Sequence, residues 1–139
     1  MLKGITTIQK FAWGFAAMFL GVYLLDYVPG IMDENGKMFG LFSMTTIVDI
    51  GHLALGTLAA LAAWQSPRLS RIYFYVLGIW YSIDVITFFV SHLHSLSLLV
   101  NVLVNLPHAL ITVAAFIIAL KVDRPGMESA QPDAVPGNP

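Results

Sequence analysis

Four long apolar stretches decide what this chain can fold into. They cover residues 8–28, 41–64, 70–91 and 96–120. Each is long enough to cross a bilayer core of about 30 Å, which takes roughly 20 helical residues. In lipid a segment must satisfy its own backbone N–H and C=O groups, so apolar runs of this length read as helices. The composition agrees: hydrophobic residues make up 58% and charged residues 11%, against roughly 45–50% and about 25% in soluble domains. That is too little charge to cover a water-soluble surface.

The same figures exclude other classes. A length of 139 residues allows one domain. A net charge of -1 with scattered Lys and Arg does not suit nucleic acid. With no cysteine, a disulfide scaffold, a thiolate metal site and a cysteine nucleophile are all absent.

The expected fold is all-α: a membrane bundle of four transmembrane helices running up and down, with residues 1–124 as the membrane domain. Residues 125–139, rich in Pro and Gly, are expected to form a disordered cytoplasmic tail. The run after Lys3 and Lys10 leads into Asp26, Tyr27, Val28 and Pro29 with no small-residue cleavage site, so it reads as an uncleaved helix. An even number of spans puts Lys3, Lys10, Arg68, Arg71, Lys121 and Arg124 on one side and Lys37 on the other. The positive-inside rule then places both termini in the cytoplasm. Trp13, Trp64, Tyr73 and Tyr75 fall near one interface, and Tyr23, Tyr27, Phe39 and Phe42 near the other, as an aromatic belt requires.

Two helices carry matching stripes. Thr45, Asp49, His52, Gly56, Ala59 and Ala63 recur at 4-3-4-3-4 spacing, and Asn101, Asn105, His108, Thr112, Ala115 and Ala119 repeat it 56 positions on. Such spacing holds each stripe on one helical face. In lipid, small and polar residues belong at helix contacts, so both stripes are expected to face inward. A weaker echo, Gly21-Val22-Tyr23 against Gly78-Ile79-Trp80, suggests a duplicated helix hairpin. Pro107 is expected to kink its helix beside His108.

The site is therefore expected around His52 and His108, with Asp49, Asn105 and Asp84. Ionisable residues inside a membrane are costly and usually functional. Three chemistries fit these residue types. In a satisfied polar network, Asp49 accepts from His52 and Asn105 from His108, fixing helix register. In a haem or other tetrapyrrole site, His52 and His108 supply axial nitrogens while Asp49 and Asn105 fix the tautomers. A divalent metal such as zinc, iron or manganese on His52, His108, Asp49 and Asp84, or an Asp–His proton relay, is the third. His92 and His94 read as solvated loop residues, Asp26 as interfacial, and no serine has a nucleophile context.

The stretches from Gly40 to Tyr81 and from Asn101 to His108 resemble a family of small bacterial four-helix membrane proteins catalogued only as a domain of unknown function. The residues that carry the resemblance are Gly40-Leu41-Phe42, Asp49-Ile50-Gly51-His52-Leu53-Ala54-Leu55-Gly56, Gly78-Ile79-Trp80-Tyr81 and Asn105-Leu106-Pro107-His108. Asp49 stands where the family's second helix typically has Asn. The resemblance implies four helices and a bacterial membrane, and no activity.

These features point to a non-catalytic membrane binding module or accessory subunit of a larger membrane or redox complex, with a homo-oligomer or other membrane subunits as partners. A small metal or proton-coupled transporter or membrane enzyme is the competing expectation.

Overall fold

The computed structural model describes residues 4–123; the expected tail at 125–139 lies outside them. The elements are α1 (Thr7–Leu25), β1 (Lys37–Met38), β2 (Phe42–Ser43), α2 (Thr46–Gln65), α3 (Pro67–Ser91) and α4 (Leu98–Lys121). All four helices are long and apolar enough to cross a membrane, which makes this a multi-pass helical membrane protein by length and composition.

Helix starts follow capping chemistry more closely than hydrophobicity. Thr45 accepts from the Val48 N–H, so α2 begins at Thr46, later than the apolar run from 41 suggests. Between α1 and α2 the chain forms a small antiparallel hairpin, with Lys37 opposite Ser43 and Met38 opposite Phe42. Phe39 and Gly40, at φ 53° and 72°, make its left-handed turn. Ser66 ends α2 and caps α3 by accepting from the Leu69 N–H, and Pro67 takes the first helical position, where its missing N–H costs nothing. Accordingly α3 starts three residues before the apolar stretch. Ser97 caps α4 in the same way.

The helices associate as two tight pairs, α1 with α2 and α3 with α4. A Cβ on Gly56 would meet the Leu20 side chain at 2.7 Å, and one on Gly78 would meet the Phe116 ring at 3.1 Å. Glycine permits both approaches. Gly21, the sequence counterpart of Gly78, has nothing within 4 Å, so the close contacts of the two pairs are not equivalent. The core joining the pairs is built from Ile8, Ala12, Ala16 and Phe19 of α1, Ala59 and Ala63 of α2, Phe74, Leu77 and Tyr81 of α3, and Ala115 and Ala119 of α4.

One end of the bundle is stapled. The Arg71 guanidinium donates to the carbonyls of Ala119, Val122 and Asp123, closing the C-terminus of α4. Asp123 in turn accepts from the Ile8 N–H at 2.7 Å, capping α1. Gln9 donates to the Ala63 carbonyl, and Ser70 to that of Ala62. The hairpin lies beyond the opposite ends of α1 and α2.

Candidate functional site

The site residues collect around an aromatic layer where the core stops. Phe19 of α1 stacks on Tyr81 of α3, with ring centroids 6.0 Å apart at 22°. His52 packs against Phe19 (5.9 Å) and His108 against Tyr81 (4.9 Å, edge-on). Both histidines expected from the stripes thus reach one aromatic stack, from α2 and from α4. The rings of Phe19 and Tyr81 connect them.

His108 does not pair with Asn105, as its spacing suggested. Its Nδ1 lies 2.6 Å from Asp84 Oδ2, across the α3–α4 contact. Asn105 instead donates to Asn101 Oδ1, and Asn101 donates to the Phe89 carbonyl. Asn101 and Asn105 are buried, and this ladder satisfies them within one helix pair. The physical reason is reach: a facing carboxylate on a neighbouring helix offers a charged acceptor, whereas Asn105 is already committed one turn away.

His52 does not pair with Asp49 either. Its Nδ1 is 2.9 Å from the Val48 carbonyl, one turn back. A carbonyl only accepts, so Nδ1 carries the proton and Nε2 keeps its lone pair. Asp49 faces Asp26. Both carboxylate oxygens of Asp26 and Oδ1 of Asp49 are buried with no hydrogen-bond partner among the described residues. Buried acceptors without donors are expensive, so this is a strained spot in the polar half.

Asp26, which its place at the end of the first apolar stretch makes look interfacial, belongs with the site residues beside Asp49. The signal was present. Ile8, Ala12, Ala16 and Phe19 form the buried stripe of α1, and the same spacing continues through Tyr23 to Asp26. Asp26 follows the end of α1 and lies outside that span. Its carboxyl is pushed up to about 6, first by burial and then by the Asp49 carboxyl beside it.

His92 in the α3–α4 loop stacks on Phe88 at 4.1 Å and bonds the Phe88 carbonyl through Nδ1. That is a helix-end packing role. Among the described residues no three His, Asp or Glu side chains gather closely enough to hold a metal ion. Of the four-residue metal set, the side-chain pairing present is His108 with Asp84. The fold and site together define a class: a multi-pass helical membrane protein with a His/Asp cluster at one aromatic layer. Comparison with family models, curated proteins and solved structures gave no match for the chain.

Proposed function

We propose that the chain is a small up-down four-helix module of a bacterial cytoplasmic membrane, with both termini in the cytoplasm. In this reading it is an accessory subunit of a larger membrane assembly, and its His/Asp cluster binds and releases protons. The observation that carries the reading is the 2.6 Å contact between His108 Nδ1 and Asp84 Oδ2 at the aromatic layer. An imidazole and a carboxylate that share a proton inside a bilayer form the unit from which proton relays are built. The groups facing this pair are Tyr81 on α3 and His52 on α2; Asp49 lies beside His52, and Asp26, after α1, lies beside Asp49. The test compares proton uptake by the parent and by His108→Phe in liposomes between about pH 8 and about pH 5, where histidine changes charge. The parent is expected to bind about one more proton. Equal uptake overturns the proposal.

A second reading keeps the tetrapyrrole. Two observations favour it: His52 and His108 both spend Nδ1 on an oxygen acceptor, leaving Nε2 for a ligand, as metal-binding histidines are usually held. A haem between them would have to displace the Phe19 and Tyr81 rings that connect them. Visible absorption of the purified protein decides it: a Soret band supports haem, and its absence leaves the proton reading.

A further inference from the structure

Burial changes abruptly at the aromatic layer. On α1 the stripe is buried from Ile8 to Phe19, and Tyr23 and Asp26 beyond it are only partly covered. Along α2 it is buried at Ala63, Ala59 and Gly56, then partly open at His52 and Asp49 and exposed at Thr45. On α3 burial ends at Tyr81, and the Asp84 side chain is 44% exposed. Ala119 and Ala115 of α4 are fully buried, yet the His108 side chain, on the same stripe, is 38% exposed; Asn105 and Asn101 beyond it are buried again, within the α3–α4 pair, where Asn101 donates to the Phe89 carbonyl. A residue whose stripe-mates are sealed against other helices becomes open only where those helices part. The pairs α1–α2 and α3–α4 therefore meet from the stapled end up to Phe19 and Tyr81, and separate beyond.

We infer that the gap between the two helix pairs is a water-filled half-channel, entered from the hairpin end and closed by the Phe19–Tyr81 stack, which admits small cations and excludes anions. Its walls carry Asp26, Asp49, His52, Asp84 and His108, and no Lys or Arg lies on the described helices beyond the stack. Three carboxyls against two imidazoles make the gap negative to neutral, and such clefts concentrate positive ions. Both Asp26 oxygens and Asp49 Oδ1 are sealed from the surface and have no donor among the described residues, so a single water held at the wall of the gap is what would satisfy them. Depth agrees: Asp26 is seven residues beyond Phe19, roughly 10 Å along the axis at 1.5 Å per residue. Below the stack, alanine packing and the Arg71–Asp123 staple leave no polar path toward the other end among the described residues. The inference rests on the up-down arrangement proposed above but not on proton binding by His108.

The chain has no cysteine, so single cysteines can report access in membrane vesicles of both orientations. Asp26→Cys and Asp49→Cys probe above the stack; Ala16→Cys and Ala115→Cys probe below it. Each is treated with a membrane-impermeant, positively charged methanethiosulfonate, and its fold is checked against the parent's elution in mild detergent; two positions per level guard against one misfolding. The upper cysteines are expected to be modified from the hairpin side alone, and the lower ones from neither side. The positive reagent is expected to react severalfold faster than a negatively charged one. Modification of either lower cysteine in a folded variant overturns the closed floor. Upper cysteines that stay unmodified, or that react from the other side, overturn the half-channel. Equal rates for the two reagents overturn its preference for cations. A closed gap with normal proton uptake at His108 separates this failure from failure of the proposed function.

Discussion

At the scale of single residues, the most consequential chemistry is where carboxyls sit. Asp84 is paired with His108, whereas Asp26 has only another carboxyl, that of Asp49, beside it among the described residues. An acid whose folded-state value is raised contributes its full stability below its ordinary value and loses it as pH rises. For Asp26 that window runs from the ordinary 3.8 up to about 6. Asp26→Asn is therefore expected to melt above the parent at pH values well above 6, with the difference vanishing near pH 4. A difference that does not change with pH, read by thermal unfolding in detergent, contradicts this account of Asp26. Asp84→Ala should act oppositely, because it removes the acceptor of His108 Nδ1 at a cost of about 0.5–1.5 kcal/mol, the side chain being open enough for water to take its place. The residue types of the site were legible in the sequence; their pairings were not. Spacing along one helix suggested Asp49 with His52 and Asn105 with His108, but the acceptors chosen were a backbone carbonyl one turn back and a carboxylate on the next helix. Partners across helices depend on rotation and register, which a single sequence does not encode locally.

At the scale of elements, hydrophobic length located all four helices, and capping residues set their ends. The three-residue shift at the start of α3 was visible in Ser66 and Pro67, whereas the hairpin between α1 and α2 was not. Its strands are two residues each, too short for an alternation to register. The inward stripe of α2 was legible, and Gly56 on it meets Leu20 as closely as that reading requires. Gly56→Leu adds a branched side chain where even a Cβ collides, so it should destabilise the α1–α2 pair by at least about 1–3 kcal/mol. Gly21→Leu, in open space, should be tolerated. Equal detergent stability of the two variants would show that the α1–α2 contact is not where this account puts it. Pro107 lies inside a continuous α4, so the helix absorbs the lost donor without ending.

At the scale of the whole molecule, the bundle is asymmetric along its axis. One end is closed by Arg71, Asp123, Gln9 and Ser70; the other is polar and open above the Phe19–Tyr81 stack. Arg71→Ala removes hydrogen bonds to three carbonyls at the α4 terminus and should cost about 2 kcal/mol, read as a lower midpoint in thermal unfolding. Arg71→Lys should recover only part of that loss, since a point charge cannot reproduce the guanidinium's fan of donors. The charge distribution adds a topological expectation: a reporter after Pro139 is cytoplasmic and one at Asn35 external. An external C-terminal reporter would reverse the side from which the half-channel opens. The central claim is that His108 and Asp84 handle a proton within the membrane. The most direct measurement is nitrogen-15 and proton magnetic resonance of histidine-labelled protein in bilayers, followed from about pH 9 to about pH 4, the range that brackets histidine titration. The account predicts a strongly downfield Nδ1 proton on His108, lost in Asp84→Ala, and conversion of His108 to the imidazolium as the pH falls. A His108 that keeps one neutral tautomer throughout, or whose Nδ1 signal is unchanged in Asp84→Ala, would contradict it.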